Sequence, residues 1–351
     1  MRPANPDSNA KVKSHSYSRV GVWIRRLLSV FAFGVVLYLF WPLIGELRNV
    51  VDLFKEAQWA GLGLAVCIQF ISYFCLTTLN YLLLSPFSGR VGFWRLMAIL
   101  PAMAFIEVAL PSAGLSGVVL RARLLDKNGY SVEASSFTLL METIYISGVM
   151  MVVSIAGVWY LVESGGIRLS QLAILSLIMV LLISISFLFY RMGQDKQRGV
   201  LWVEQVVTRW NRMMHALGRP SISMEGLTDR VNGFYDGLSQ VKRVPPMILL
   251  GLATGRIALD VATLGACFIA FHYTIPIGIL ITGYGLVLAF SGLAALPGGL
   301  GLVDASLAVI FARLGAPGAV AVAAALSYRL IAFWLVRFIG FVAWQILEVR
   351  T

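Results

Sequence analysis

Two arginines near the end of the chain are the residues best suited to bind a ligand. Arg329 and Arg337 lie eight residues apart in a long apolar stretch, with Phe333 midway between them. On a helix this spacing places all three side chains on one face. Guanidinium groups stay charged and bind phosphate oxygens in pairs, so this face suits a phosphate-bearing group. The open alternative is that both arginines extend to the membrane surface or pair with acids of other helices.

Further charged side chains occur inside apolar stretches, where each costs roughly 2.5–3.5 kcal/mol to insert into a bilayer. We predict that the substrate-binding set is Arg121, Arg123, Arg313, Arg329, Arg337, Glu107, Glu142 and Asp304. The arginines would contact an anionic headgroup, and the acids would balance charge or contact a cationic headgroup. Arg256 and Asp260, four residues apart, can neutralise each other, and a structural and a functional role both stay open.

Metal and catalytic motifs are not found in the sequence. The histidines His15, His215 and His272 and the three cysteines show no spacing typical of a metal site. Nucleotide-binding and hydrolase motifs are also missing. We therefore expect no catalytic residue, no metal and no cofactor, and we expect that the protein is not an enzyme.

The composition indicates how these side chains are positioned. Of 351 residues, 59% are hydrophobic and 13% charged, and the mean hydropathy is +0.83. Soluble domains have about 45–50% apolar and about 25% charged residues, so a soluble protein is excluded. The chain is predicted to be an all-α, polytopic membrane protein.

About eight stretches are long enough to cross a bilayer. They cover residues 27–44, 59–84, 93–110, 135–162, 169–190, 246–271, 275–296 and 319–347. The predicted organisation is a basic tail (1–26), a first membrane half (27–190), a basic loop (191–245) and a second membrane half (246–347).

Two segments, 111–125 and 297–314, are predicted to be re-entrant hairpins. Each follows a span and begins with helix-breaking residues: Pro111, Gly114 and Gly117 in the first, and Pro297, Gly298, Gly299 and Gly301 in the second. Ala-Leu-Pro leads into each segment, and both segments contain Ala-Arg-Leu further on. When each hairpin is counted together with the span before it, three spans separate the two, so the hairpins would enter from opposite sides. An inverted-topology repeat, a feature of transporters, is therefore a hypothesis, and chance similarity of short strings is the alternative.

Two glycine patterns suggest more local roles. The 297–301 turn precedes a helix predicted to begin near Leu302, and its free amides could bind an anion. Asp304 could instead satisfy these amides. Gly251 and Gly255 form a GxxxG pattern, which predicts a close helix contact.

The net charge of +11 predicts orientation rather than nucleic-acid binding. Residues 1–26 carry six basic residues and one acid, and residues 191–245 carry nine basic residues and five acids. The positive-inside rule then places the loop and both termini in the cytoplasm. The loop has two predicted amphipathic helices, which could lie on the membrane, dock a partner or serve only as a connector.

Three segments resemble a known family. ALPSAGLSGVVLRARLL, LPGGLGLVDASL and YRLIAFWLVRFIG are similar to segments of the lysylphosphatidylglycerol synthase transmembrane region, also called the flippase-like or UPF0104 family. That family usually has Glu where this chain has Asp304. The resemblance implies lipid translocation, with aminoacylated phosphatidylglycerol, polyprenyl-linked sugars or hopanoids as cargo. Lysine transfer in that family requires a separate soluble domain, and we do not expect it for this chain.

The sequence thus favours a flippase that moves an anionic or phosphate-bearing lipid between leaflets of the cell membrane. The alternatives are a membrane-embedded lipid-phosphate transferase and a non-catalytic subunit of a lipid-modifying complex. The expected partners are anionic membrane lipids and a lipid-modifying enzyme, with no nucleic acid. The sequence leaves the cargo, direction, energy coupling and oligomeric state open.

Overall fold

All of the regular structure in the described part of the chain is helical. The computed structural model describes residues 47–109, 115–163, 244–291 and 302–349, with a few positions between 201 and 212. Its helices are α1 (Leu47–Glu56), α2 (Trp59–Leu84), α3 (Phe93–Ala109), α4 (Leu115–Asp126), α5 (Val132–Glu163), α6 (Pro246–Ala270), α7 (Ile277–Ser291), α8 (Leu302–Arg313), α9 (Gly318–Arg329) and α10 (Val336–Val349). A π-helical segment, Leu330–Leu335, joins α9 to α10. The predicted all-α class is confirmed.

Four helical stretches of the described chain are long and apolar enough to cross a membrane: Trp59–Leu84, Val132–Tyr160, Pro246–Ala270 and Gly318–Leu347. At about 1.5 Å per residue, α2 is about 39 Å long, against a hydrocarbon core of about 30 Å. An integral membrane protein is therefore confirmed. The predicted spans 27–44 and 169–190 lie outside the described residues.

Helices α2 and α6 form the centre of the bundle and pack against each other more extensively than any other described pair. The amide of Gln58, just before α2, donates to the carbonyl of Ala270 at the end of α6 over 2.9 Å. The start of one helix therefore meets the end of the other, and the two helices run antiparallel.

Each central helix leads into a helical hairpin. The Arg90 amide, before α3, donates to the Asn128 carbonyl, after α4, over 2.9 Å. The Tyr273 hydroxyl, before α7, donates to the Gly315 carbonyl, after α8, over 3.4 Å. In both hairpins the chain thus returns to the end from which it entered. Because α2 and α6 are antiparallel, the two hairpins enter from opposite ends of the bundle.

The packing of the helices has an approximate twofold symmetry. Helices α2, α3, α4 and α5 correspond to α6, α7, α8 and the α9–α10 helix, respectively. When each helix is exchanged with its counterpart, every main packing pair maps onto a pair that also packs together. The contact of α3 with α10, for example, corresponds to that of α7 with α5. An axis that exchanges two antiparallel helices is perpendicular to them, so the two units have inverted topology. This is the arrangement that the similar Ala-Leu-Pro and Ala-Arg-Leu strings suggest.

Glycines allow close approach in both of these symmetry-related contacts. A Cβ atom at Gly340 of α10 would overlap the Pro101 carbonyl of α3, and one at Gly157 of α5 would lie 2.7 Å from the Thr282 Cα of α7. The predicted close contact at Gly251 and Gly255 is wrong for the described residues. An added Cβ at Gly251 would meet nothing within 4 Å, and one at Gly255 would meet only the Cys75 sulfur, at 3.8 Å. Hence a GxxxG spacing alone does not identify the contacting face.

Outside the spans, α1 is a short amphipathic helix that packs against α9. Lys55 donates a hydrogen bond to Asp52 over 2.7 Å, and this bond raises the pKa of Lys55. This ion pair lies on the exposed surface of α1.

Candidate functional site

Arg329 and Arg337 flank the π-helical segment and are held against Phe333 within it. The guanidinium carbon of Arg329 lies 4.1 Å from the Phe333 ring centroid, and that of Arg337 lies 3.2 Å from it. Arg337 also donates to the Phe333 carbonyl over 3.0 Å. The three side chains share one face, as their spacing indicates. A phenylalanine face attracts cations without supplying a counter-charge.

A second charged group lies near the middle of the two central helices. Arg256 forms an ion pair with Asp260 on α6, and both contact the Ser72 side chain of α2. The Tyr284 hydroxyl of α7 donates to Asp260 over 3.2 Å. The Tyr328 ring of α9 lies edge-on to Tyr284, with 6.5 Å between centroids. Side chains of α6, α2 and α7 thus contact one buried carboxylate, and α9 adds the Tyr328 ring beside Tyr284.

Tyr73 connects the two charged groups. The Arg256 guanidinium carbon lies 5.2 Å from the Tyr73 ring centroid, and the Tyr73 side chain lies near both Arg256 and Arg337. The half-buried Glu107 of α3 interacts electrostatically with Arg337. The result is a line of charged and aromatic side chains across the bundle, which we call the central polar cluster: Asp260, Arg256, Tyr73, Arg337, Phe333, Arg329 and Glu107.

Arg121 and Glu142 form a separate buried group. Arg121 is fully buried and donates to Glu142 over 2.9 Å, to Asn80 over 2.7 Å and to Thr138 over 3.2 Å. Of the three side-chain nitrogens of Arg121, only Nε has no hydrogen-bond partner among the described residues. These four side chains, which we call the Arg121 brace, tie α4 to α2 and α5. A direct contact between Arg121 or Glu142 and lipid stays a prediction.

Arg123 and Arg313 do not join either group. Both are exposed, and each lies in the last turn of the second helix of its hairpin. A cation in this position interacts favourably with the helix dipole. Two residues earlier, the equivalent positions hold Arg121 and Phe311, both fully buried. At this equivalent position the first unit thus buries a charged guanidinium group, and the second unit buries an aromatic ring.

Most of the predicted turn residues cannot be compared with the structure. Pro111, Gly114 and the glycines of the 297–301 turn lie outside the described residues. Asp304 lies in α8, but its side chain is also outside the described set. Gly117 is described and buried; a Cβ there would lie 2.8 Å from the Met103 carbonyl oxygen of α3. This glycine lets α4 pack directly against α3.

Neutral side chains in and next to the central polar cluster are not found by a search for charged residues. Ser72, Tyr73, Tyr284 and Tyr328 all lie in apolar helices. Their hydroxyl groups are the available signal, because polar groups in membrane helices usually face other helices and hydrogen-bond there. No group of three or more His, Cys, Asp or Glu side chains among the described residues could hold a metal ion.

A cavity of about 230 Å³ lies beside the central polar cluster, between α2, α3 and the α9–α10 helix. It is lined by Val66, Gln69, Phe70, Tyr73, Trp94, Met97, Ala98, Pro101, Ile331, Leu335, Val336, Ile339 and Ala343. The wall is almost wholly apolar. Because Pro101 has no N–H, the Met97 carbonyl also lacks its usual helical donor.

Comparison with known proteins agrees with this architecture. The model of a protein family described as "Lysylphosphatidylglycerol synthase TM region" matches residues 24–340. The chain belongs to this family. The match includes both hairpins and the π-helical segment, and membership of the lysylphosphatidylglycerol synthase TM region family implies a lipid-related role in the membrane. Two similar proteins of this kind come from Methanothermobacter thermautotrophicus, each named "UPF0104 membrane protein". One is 27% identical over 340 residues (90% of this chain, 92% of the relative), and the other is 24% identical over 331 residues (90% and 93%).

Proposed function

We propose that the protein moves an anionic, phosphate-bearing lipid between the leaflets of the cell membrane. The observation that carries this proposal is the central polar cluster, in which two arginines lie over one phenylalanine ring in the middle of an apolar bundle. Each charged group at this depth costs roughly 2.5–3.5 kcal/mol. Two guanidinium groups held over one ring suit a ligand with several anionic oxygens, such as a phosphate group.

The proposed mechanism uses the inverted symmetry of the two units. The guanidinium groups of Arg329 and Arg337 would bind the phosphate, while the acyl chains stay in the bilayer. Glu107 and Asp260 would balance the arginine charge when no lipid is bound. Movement of one hairpin unit against the other would then open the cluster to each leaflet in turn. The headgroup would thereby avoid contact with hydrocarbon.

The orientation and the partners belong to the same proposal. Both termini and the basic 191–245 loop would lie in the cytoplasm, and the partners would be anionic lipids and a lipid-modifying enzyme. The protein itself would not be an enzyme, and the cluster would bind and orient the lipid without changing its covalent structure.

The test is a leaflet-resolved transport assay in proteoliposomes. A fluorescent phosphatidylglycerol is quenched from outside by dithionite, and the rate at which inner-leaflet lipid becomes accessible is measured. We expect Arg337→Gln to lower this rate about tenfold or more, because a charge-assisted hydrogen bond contributes about 1.5–3 kcal/mol. Arg95→Gln is the matched control: its side chain is exposed and belongs to no predicted binding set, and we expect its rate to stay near that of the wild type.

Two results would contradict the proposal. The first is a transport rate in wild-type vesicles no higher than in protein-free vesicles. The second is equal loss of transport in Arg337→Gln and Arg95→Gln, which would indicate a general effect of removing positive charge. Formation of a modified lipid without movement would favour the transferase instead.

A further inference from the structure

We infer that the cavity beside the central polar cluster binds one apolar chain of a lipid, and that Gln69 hydrogen-bonds an oxygen at the polar end of that chain. This inference goes beyond the proposed function, because a chain can bind in the cavity whether or not the lipid crosses the bilayer. It rests on the shape of the cavity, the chemistry of its wall and the state of Gln69.

Gln69 is the first observation. Its side chain lines the cavity and is 3% exposed, yet neither its Nε2 nor its Oε1 has a hydrogen-bond partner among the described residues. Buried amides in proteins are almost always hydrogen-bonded, because an unpaired polar group loses its interaction with water. A ligand oxygen that accepts a hydrogen bond from Nε2 pairs the donor side of this amide. An ester carbonyl or a hydroxyl group can accept from Nε2, and a hydroxyl group can also donate to Oε1.

The apolar wall is the second observation. Around Gln69 the surface consists of aliphatic and aromatic side chains such as Val66, Met97 and Ile339. The cavity is larger than an apolar cavity of about 150 Å³ that holds benzene in another protein. Its volume of about 230 Å³ fits part of a hydrocarbon chain. A charged headgroup would find no counter-charge on this wall.

The third observation is how the cavity connects to its surroundings. Phe70 and Trp94 on its rim are exposed, so the rim lies on the outer face of the described bundle. At the inner end, Tyr73 belongs to both the cavity wall and the central polar cluster. The π-helical segment contributes Ile331 and Leu335 to the wall, and π-helical turns are frequent at functional sites. A chain in this cavity would therefore lie beside Arg337.

The experiment measures chain binding by photo-crosslinking. The full-length protein is placed in phosphatidylcholine vesicles that contain phosphatidylglycerol with a diazirine in one acyl chain. After irradiation, the labelled peptides are identified by mass spectrometry. We expect the label on the α2 and α3 peptides that contain Gln69 and Ala98. The second arm uses a long-chain alcohol that carries the same diazirine. Labelling of these peptides by the alcohol would show that a chain without phosphate also binds. Labelling by the phospholipid but not by the alcohol would show that the headgroup is required.

Two variants and a control make the inference falsifiable. Ala98→Phe fills the cavity and is expected to abolish labelling of these peptides, whereas Ala60→Phe, at an exposed position of α2, is expected to label normally. Gln69→Leu keeps the volume and is expected to lower labelling about fivefold, the effect of one lost hydrogen bond. Unchanged labelling in either cavity variant would overturn the inference. Protein that fails the transport assay but labels here would support it and refute only the proposed function.

Discussion

Replacing Glu142 by Leu should destabilise the protein strongly, because it leaves the Arg121 guanidinium charged, buried and without its counter-ion. Arg121 is 0% exposed and Glu142 is 15% exposed, with 2.9 Å between nitrogen and oxygen. Breaking a buried ion pair by removing one partner typically costs about 3–5 kcal/mol. At 25 °C this lowers the ratio of folded to unfolded protein roughly 150- to 5,000-fold.

The double variant Arg121→Leu/Glu142→Leu should be more stable than Glu142→Leu alone. It removes both charges, and the principal remaining cost is the side-chain oxygen of Asn80, which loses the donor that lies 2.7 Å away. One unsatisfied buried acceptor costs about 1–3 kcal/mol. The two substitutions are therefore expected to be strongly non-additive, as contacting residues usually are.

The measurement is the free energy of unfolding from SDS titration in mixed micelles, followed by circular dichroism. Arg123→Leu, on the exposed side of the same helix, serves as the control and should change stability by no more than about 0.5 kcal/mol. Two results would refute the view that the brace contains a buried, mutually compensated ion pair. One is a loss of less than about 1 kcal/mol in the free energy of unfolding of Glu142→Leu, and the other is a double variant that is less stable than Glu142→Leu. The double variant also tests the sequence-based assignment: retained lipid movement would show that Arg121 and Glu142 are not substrate ligands.

The remaining predictions concern helix packing and topology. Gly340→Ala should destabilise the protein by about 1–3 kcal/mol in the same titration, because its Cβ would overlap the Pro101 carbonyl. An added Cβ at Gly251 meets no described atom within 4 Å, so Gly251→Ala should be neutral or stabilise the protein by up to about 1 kcal/mol. Equal effects of Gly340→Ala and Gly251→Ala would contradict the close α3–α10 contact. For topology, single cysteines at Asn128 and Tyr273 in a chain without its native cysteines should react with impermeant maleimide from opposite sides of the membrane. Reaction from the same side would rule out the inverted arrangement.

The spans and the hairpins follow from patterns in the sequence. Apolar stretches predict helices because hydrocarbon requires each backbone polar group to be paired within the segment, and the start of the predicted span at Trp59 agrees with α2. The return of the chain after α3 is predictable from two helix-breaking residue types, Pro111 and Gly114. The basic residues Arg121, Arg123 and Lys127 that follow them support the same prediction through the positive-inside rule. The shared face of Arg329, Phe333 and Arg337 follows from helical spacing alone.

Only the tertiary structure decided which polar side chains meet. Spacing along one helix defines a face, but neighbours across helices depend on how α2, α6 and their hairpins pack. Arg121 and Arg123 are two residues apart, and packing buries the first against Glu142 and exposes the second. The contact of Asp260 with Ser72 and Tyr284 joins residues from three helices, and no local pattern encodes it. The Gln69 amide, which has no hydrogen-bond partner among the described residues, is buried because three helices enclose it, and burial is a property of the packed bundle and not of the chain.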